Sequence, residues 1–170
     1  MLWIVLLFAA GLSAQNAPAP SPDIHYVPTS NGVADAMLKL ANTTAADVVY
    51  DLGSGDGRIV IAAAKKFGAR GVGVEIDPEL IKEAKKKAEK AGVADKVTFR
   101  QEDLFKTDLS DATVVMLYLS NSINIRLRSI LQSQLKPGAR IVSHRFLMGD
   151  WKPEAERRLE GTSIYLWTIR

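Results

Sequence analysis

The sequence predicts an α/β fold, a three-layer sandwich in which helices cover both faces of a mostly parallel sheet and an antiparallel hairpin ends the chain. Three observations support this prediction. Short apolar runs alternate with segments of helical periodicity from about residue 24 onward. The runs are apolar throughout, as expected of parallel strands that are buried on both faces. Near the C-terminus, two short runs at 154–160 and 162–169 flank Gly161, which is typical of a hairpin.

A helix and two strand–helix units form the first half of the predicted fold. They are a helix over about 31–42, a strand at 48–50, a helix over about 59–67, a strand at 71–76 and a helix over about 78–91. Thr29 or Ser30 caps the first helix, and Asp77 caps the third. Gly68 and Gly92 end the second and third helices, because glycine adopts the left-handed C-cap conformation without strain.

The second half adds three further parallel strands, one helix and the hairpin. The strands are predicted at 97–100, 113–119 and 139–146, and the helix at about 122–135. Parallel strands all end at one edge of a sheet, and ligands bind beyond those carboxyl ends, where the strand order reverses. We therefore expect the loop after the first strand to lie at a ligand site.

A separate apolar segment precedes the predicted domain. Residues 2–12 are almost unbroken apolar and are followed by Ser13-Ala14-Gln15. As a helix this run would rise only about 16 Å, well short of a hydrocarbon core of ~30 Å. We expect residues 1–14 to be a signal peptide or a short hydrophobic anchor, and 15–23 to be a proline-rich linker before a domain at 24–170. This predicts an exported, periplasmic or membrane-associated protein.

Composition bounds the remaining possibilities. The chain has 170 residues, enough for one domain, with 47% apolar residues, 24% charged residues and a net charge of +3. That charge is too mild to imply a nucleic-acid partner. Cysteine is absent, which excludes a thiol nucleophile, and the histidines at 25 and 144 lie far apart, so no metal site is expected. We expect a monomer.

The loop at 50–57 carries the strongest motif, Tyr-Asp-Leu-Gly-Ser-Gly-Asp-Gly. Asp51 ends the first strand, and Gly53, Gly55 and Gly57 follow at alternate positions with Ser54 between the first two. Such glycines let the backbone approach a ligand closely. The spacing differs from the Gly-x-Gly-x-x-Gly of dinucleotide sites, and an acid at Asp51 would repel a pyrophosphate. A nicotinamide oxidoreductase is therefore disfavoured.

Two further acids follow the next two strands. Glu75 and Ile76 end the second strand, and Asp103 and Leu104 follow the third. Each acid alone is typical of a helix cap or a solvated strand end, but three in register indicate a nucleoside cofactor. Glu75 would bind ribose hydroxyls, Asp103 the adenine amino group, and Asp51 the cationic aminopropyl part of S-adenosylmethionine (AdoMet). Ile76 and Leu104 would contact the nucleoside.

These motifs resemble class I AdoMet-dependent methyltransferases. The resemblance rests on Asp-Leu-Gly-Ser-Gly-Asp-Gly-Arg at 51–58 and Gly-Val-Glu-Ile-Asp-Pro at 73–78. More narrowly, segments 26–29, 49–58, 118–119, 143–146 and 148–151 resemble the mitochondrial lysine methyltransferases of ATP synthase subunit c and the adenine nucleotide translocase. The resemblance implies a Rossmann-like fold, AdoMet as cofactor, a protein-lysine acceptor and a location at a membrane.

The acceptor side is less specific in sequence. Tyr118, at the predicted end of the fourth strand, is the first candidate for holding an acceptor amine, followed by Tyr26 and Asn121. The alternative for Tyr118 is ordinary packing. The Asn/Asp-Pro-Pro-Tyr/Phe signature of base and glutamine methyltransferases is missing, because residues 118–121 read Tyr-Leu-Ser-Asn. His144 is either a proton acceptor or, more in keeping with its position, a structural histidine.

Several alternatives stay open at this point. A small-molecule methyltransferase and a non-catalytic AdoMet-binding module both fit the motifs. The lysine-rich helix at 78–91 reads first as a solvated face, with contact to acidic lipid headgroups as the functional alternative. Trp151 either lines the acceptor entrance or covers the sheet. Because AdoMet is made in the cytoplasm, the cytoplasmic face of a membrane is the alternative location to export.

Overall fold

Helices and strands alternate along residues 28–170, which are the residues described by the computed structural model. The helices are α1 (Asn31–Leu40), α2 (Arg58–Phe67), α3 (Pro78–Ala91) and α4 (Asn121–Gln134). The strands are β1 (Val48–Leu52), β2 (Arg70–Glu75), β3 (Val97–Gln101), β4 (Val114–Leu117), β5 (Arg140–His144), β6 (Ala155–Leu159) and β7 (Thr162–Thr168). The predicted leader, the linker and Tyr26 lie outside these residues.

The strands form one sheet of order β3-β2-β1-β4-β5-β7-β6. β1 to β5 are parallel, and β7 runs antiparallel to both β5 and β6, which confirms the predicted hairpin. The strand order reverses between β1 and β4. There Leu52 of β1 is level with Val74 on one side and Leu117 on the other, so three strands end at the same height.

Helix ends follow the local sequence signals. The Ser30 hydroxyl accepts a hydrogen bond from the Val33 amide at 3.2 Å, and Asp77 caps α3. Gly68 and Gly92 have φ angles of 73° and 71° at the C-caps of α2 and α3. The sequence therefore sets the boundaries that place the glycine loop and the second acid.

Helices cover both faces of the sheet, so the three-layer sandwich is confirmed. Alternate residues of β1 point to opposite faces. Val49 packs in a cluster with residues of α1 and α2, whereas Tyr50 and Leu52 pack in a cluster with Leu127 and Leu131 of α4. Among residues 28–170, no helix is long and apolar enough to cross a membrane.

Two strands end earlier than the sequence predicts. β4 ends at Leu117, so Tyr118 lies in the following loop, and β5 ends at His144 because Arg145 turns away with φ of 70°. Because apolar residues continue in the sequence beyond Leu117 and His144, the predicted strands were too long. β1 instead continues to Leu52, which puts Asp51 inside the strand and next to its end.

Candidate functional site

The loop between β1 and α2 lies against the ends of the neighbouring strands. The amides of Gly53 and Ser54 donate to the Val74 carbonyl at 2.8 and 2.9 Å, which ties the loop to β2. Gly53, Gly55 and Gly57 all have positive φ, as predicted. At Gly57 an added Cβ would come within 2.5 Å of the Phe99 ring, so glycine is required there for conformation and for space.

Glu75 is held in place by this loop. Its Oε2 accepts from the Gly55 amide at 2.9 Å, and its Oε1 accepts from the Ile76 and Asp77 amides at 2.8 and 3.1 Å. A carboxylate offers about four acceptor positions. Three are used by the backbone, so Glu75 is fixed in orientation and retains capacity to accept from a hydroxyl group.

Asp51 is the most unusual acid of the site. Its side chain is 3% exposed, and it accepts no hydrogen bond from any residue in the range 28–170. Burial, together with the nearby charges of Glu75 and Asp56, raises its pKa to about 8. A buried carboxyl without partners is unfavourable, and a cation beside it would stabilise the charged form. The acidic groups around Asp51 therefore suit a cationic ligand and not an anionic phosphate.

Asp56 has the opposite environment. Burial would raise its pKa, but hydrogen bonds and charges from Arg58 and Lys87 outweigh burial and hold the pKa well below its ordinary value. Arg58 donates from Nε and Nη2 at 2.9 and 2.7 Å, and Lys87 Nζ lies 2.5 Å away. Arg58 Nη1 also donates to the Thr29 carbonyl at 2.8 Å. This cluster connects the loop, α3 and the segment that enters the domain.

The remaining predicted cofactor residues lie in the loop itself and directly after β2 and β3. Ser54 Oγ is buried without a partner among the described residues, and it faces Gly73, where an added Cβ would lie 2.7 Å away. Asp103 accepts from the Phe105 amide at 2.9 Å through Oδ1, which forms a turn after β3. Leu104 and Phe105 pack partly buried against the core. The assigned role of Asp103 toward adenine stays a prediction.

A second part of the site lies beyond β4 and β5. Tyr118 follows β4 at the height where Gly53 follows β1, since Leu52 and Leu117 are in register. The Tyr118 ring lies 3.9 Å from the ring of His144 and 6.2 Å from that of Phe146, measured between centroids. Two aromatic side chains thus hold the Tyr118 ring beside the loop between β1 and α2, the predicted cofactor loop (residues 53–57).

His144 is a satisfied structural residue. Its Nδ1 lies 3.3 Å from Thr29 Oγ1 and its Nε2 lies 3.2 Å from Thr162 Oγ1, so both ring nitrogens have hydroxyl partners. Burial, with a smaller effect from the charge of Arg145, lowers its pKa. The neutral imidazole joins the entering segment to the start of β7.

A cavity of about 700 Å³ opens beside Tyr118 and His144. Its walls come from the start of α1, the end of β5 and the β6–β7 turn, and they include Ser30, Arg145, Arg158, Glu160 and Tyr165. Ser30 Oγ donates to Glu160 at 2.5 Å, which closes the wall between α1 and the turn. Tyr118, which follows β4 where the strand order reverses, is one of the lining residues, so the cavity is the candidate acceptor site.

Comparison with known proteins decides the family. A family model described as the ANTKMT methyltransferase domain matches residues 51–155. The chain belongs to this methyltransferase family. A protein-lysine N-methyltransferase from Saccharolobus islandicus is 42% identical over 153 residues, which cover 87% of this chain and 95% of that protein. The predicted AdoMet-dependent methyltransferase is thereby confirmed, and the non-catalytic module is disfavoured.

Two further comparisons bear on the methyltransferase. The adenine nucleotide translocase lysine N-methyltransferase of Mus musculus is 37% identical over 78% of this chain, and the chain spans 57% of its length. An RNA methyltransferase from Salinibacter ruber, whose crystal structure contains S-adenosyl-L-homocysteine, is 60% identical in sequence to this chain. The two structures superpose with a TM-score of 0.83 over 84% of this chain and 94% of that chain. S-adenosyl-L-homocysteine is what AdoMet becomes on losing its methyl group, which supports AdoMet as cofactor.

The other predicted residues of the methyltransferase are placed less centrally. Asn121 is exposed at the first position of α4 and does not line the cavity. Trp151 packs on Trp167, with ring centroids 6.0 Å apart, and accepts from its Nε1 through the main-chain carbonyl. Trp151 therefore covers the sheet, away from the acceptor cavity. In the range 28–170, no group of three or more acids and histidines is arranged to hold a metal ion.

Sequence reasoning missed two features of the methyltransferase. Lys87, taken as part of a solvated face, pairs with Asp56 of the cofactor loop. Asn124 of α4 is fully buried and donates to Ser143 Oγ and to the Phe146 carbonyl at 3.1 and 3.2 Å. A polar residue on the apolar face of a predicted helix is a signal that could have identified Asn124, since buried amides need partners.

Proposed function

We propose that this methyltransferase transfers a methyl group to the ε-amino group of a lysine in a protein. The observation that carries the proposal is the 42% identical relative named protein-lysine N-methyltransferase, of which this chain covers 95%. This chain therefore aligns with nearly the whole of a protein with that name. The cavity that includes the rings of Tyr118, His144 and Tyr165 supports the same reaction.

The cofactor residues act by binding and orientation. When bound, AdoMet supplies an electrophilic methyl group on a sulfonium centre. Asp51 would face its cationic part, Glu75 would accept from ribose hydroxyls, and the glycine loop would pass its backbone along the ligand. Asp103, Ile76 and Leu104 would bind the adenine ring. Because the transfer is an in-line displacement, holding the two reactants in line is the main contribution of the protein.

The acceptor residues must provide a neutral amine. A lysine with a pKa near 10.4 costs about 4.6 kcal/mol to deprotonate at pH 7. When the substrate fills the cavity and displaces water, the ammonium form is disfavoured and that cost falls. The Tyr118 hydroxyl would orient the amine, the proton would leave to solvent, and Tyr26 would close the site from the entering segment. Asn121 stays a weaker candidate because it lies outside the cavity wall.

RNA is the second candidate acceptor, because the 60% identical protein from Salinibacter ruber is described as an RNA methyltransferase. Two features of this chain favour a peptide. The cavity combines Arg145 and Arg158 with the carboxylate of Glu160, whereas a phosphate backbone calls for uniformly positive contacts. Residues 118–121 also lack the signature typical of base methyltransferases. A small-molecule acceptor is the third possibility.

One labelling experiment separates these acceptors. The purified full-length chain is incubated with methyl-tritiated AdoMet and either soluble proteins, membrane proteins, total RNA or a small-molecule extract from the source organism. We expect label in protein, recovered as methyl-lysine after acid hydrolysis. Label confined to RNA or to the small-molecule extract would refute the lysine acceptor. A reaction without the enzyme is the control for label that does not depend on it, and Asp51→Asn should reduce the enzyme-dependent label.

We further propose that the apolar leader at 2–12 attaches the enzyme to a membrane on its cytoplasmic side. This location gives the enzyme access to AdoMet, and a run of this length is better suited to lying at the membrane surface than to crossing the bilayer. N-terminal sequencing and membrane fractionation of the expressed protein test it. An intact N-terminus in the membrane fraction is expected, and a soluble periplasmic protein beginning at Gln15 would refute the proposal.

A further inference from the structure

Arg145 has a backbone conformation that side chains usually avoid. It follows β5 directly and has φ of 70°, in the left-handed region. Its amide donates to the Ser163 carbonyl at 2.7 Å, so the contact between β5 and β7 continues through this residue. Glycine adopts this conformation freely, and an arginine there pays a steric penalty. Strained residues of this kind are concentrated at functional sites.

The guanidinium of Arg145 has no partner to explain its presence. It is exposed at the cavity wall, and within residues 28–170 it forms no hydrogen bond and no ion pair. Its described contact is with the ring of Phe146, 5.7 Å from the guanidinium carbon to the centroid. Arg158, which also lines the cavity, differs because its Nε lies 3.3 Å from Glu156. Arg145 therefore presents a free cation beside Tyr118 and His144.

The same cavity contains an unneutralised carboxylate. Glu160 lines the wall and accepts from Ser30, but it forms no ion pair with any described residue. An unpaired arginine and an unpaired glutamate in one cavity are complementary to a ligand that carries both signs of charge. A lysine next to an acidic residue has this property, whereas an RNA backbone presents anionic groups alone.

We propose that Arg145 binds a carboxylate of the protein substrate close to the methylated lysine, so that the enzyme selects lysines flanked by aspartate or glutamate. This inference rests on the proposed lysine acceptor. A guanidinium binds a carboxylate through two parallel hydrogen bonds, which fixes orientation as well as affinity. Arg145 thereby determines specificity and takes no part in methyl transfer itself.

A pair of matched peptides tests the inference. Each has one lysine, flanked within three residues by two aspartates in one peptide and by two asparagines in the other. Binding to the full-length chain in the presence of S-adenosylhomocysteine is measured by fluorescence anisotropy, and methylation is measured separately. We expect the wild-type protein to bind the aspartate peptide about tenfold more tightly, as a charge-assisted hydrogen bond provides.

The variants separate the effect of losing the Arg145 guanidinium from effects on folding. Arg145→Gly removes the side chain and the strain together, so its melting temperature should stay level or rise while the preference for aspartate disappears. Arg145→Asn is the second variant, since asparagine also tolerates this conformation. Arg157→Gln is the control: Arg157 is an exposed arginine of β6 that does not line the cavity, and its loss should leave the preference unchanged.

The outcomes distinguish this inference from the proposed function. The inference is wrong, and lysine methylation stands, if the wild-type protein methylates both peptides and binds them with equal affinity. The same holds if both Arg145 variants keep the preference for the aspartate peptide. If the wild-type protein methylates RNA and no lysine, the proposed function fails and the inference fails with it. If Arg145→Gly weakens binding of a single-stranded RNA oligonucleotide and leaves both peptides unaffected, the bound anion is a phosphate and the inference is also refuted.

Discussion

Lys87 of α3 reaches the buried carboxylate of Asp56 in the cofactor loop, with 2.5 Å between Nζ and Oδ2. Lys87 also pairs with Glu83 one turn earlier at 2.6 Å. Hydrogen bonds to these two acids raise the pKa of Lys87, so the cation is maintained across the neutral range. The loop that would surround the cofactor is therefore fastened to α3 through a lysine 31 positions after Asp56 in the chain.

Replacing Lys87 tests this fastening. Lys87→Met leaves Asp56 with Arg58 as its charged partner, and we expect a loss of about 1 kcal/mol in unfolding free energy, kept modest because the ammonium is partly exposed. Affinity for AdoMet should fall several-fold as the loop loosens. Denaturant unfolding and calorimetric titration measure the two effects. Lys86→Met, at an exposed position without an ion pair, is the control and should change neither.

Asp51 should make the stability of the unliganded enzyme fall as pH rises. Its pKa is about 8 in the folded protein and near 3.9 in the unfolded chain. Between these values the folded state holds a proton that the unfolded state has lost, so unfolding becomes easier as pH increases. From pH 5 to 8, the melting temperature of the wild-type protein should fall more steeply with rising pH than that of Asp51→Asn. Parallel curves for the two proteins would contradict the assignment.

The same residue predicts the pH dependence of cofactor binding. A cation binds the ionised carboxylate, so binding of AdoMet should release a proton and strengthen as pH rises toward 8. Calorimetry in buffers of different ionisation enthalpy counts that proton. Asp51→Asn should bind AdoMet at least about tenfold more weakly, with no pH dependence from this site. If the variant binds as tightly as the wild-type protein, Asp51 does not contact the cofactor.

Gly57 is predicted to be intolerant of any side chain. In Gly57→Ala the methyl group meets the Phe99 ring in a left-handed backbone, and the expected loss is about 2–4 kcal/mol of unfolding free energy. Gly138→Ala is the control, because Gly138 has φ of 87° with open space around its Cβ position. That control should lose only about 1–2 kcal/mol. Adding Phe99→Leu to Gly57→Ala makes room for the new methyl group, so the double variant should lose less stability than the two single losses added together.

Tyr118→Phe tests the acceptor side. The ring contacts with His144 and Phe146 remain, but the hydroxyl that would orient the amine is lost. We expect kcat to fall by about tenfold with AdoMet affinity unchanged, the effect of one hydrogen bond made to the reacting group. Tyr165→Phe, which alters another cavity tyrosine, is the comparison. Full activity in Tyr118→Phe would leave Tyr118 with a packing role.

The cofactor half of the site follows from local signals. Asp77-Pro78 and Gly92 set the limits of α3, and the apolar runs before Asp51 and Glu75 set two strands whose carboxyl ends must share one edge. The acids therefore converge whatever the details of packing. Asp51 being buried and unpaired was not predictable, because it depends on how closely the loop and the neighbouring strands approach.

The remaining features depend on contacts distant in sequence. On the acceptor side, Ser30 and Glu160 meet across 130 positions, and in the cofactor loop Asp56 meets Lys87 across 31. No local pattern distinguishes these partners from solvated charges. The ends of β4 and β5 were also misplaced, because apolar side chains continue beyond the point where Tyr118 and Arg145 leave the strands. Backbone geometry, more than side-chain polarity, fixes where these two residues lie.

The bond between Ser30 and Glu160 also has a consequence for synthesis. Every residue assigned to AdoMet has been synthesised once the chain reaches Leu104, but the cavity wall needs the turn at Glu160 and Gly161, which is made only after β5 and β6. The residues of the donor side are therefore synthesised before those that complete the acceptor side. A nascent chain stalled before the hairpin would have the donor residues and no place for a substrate.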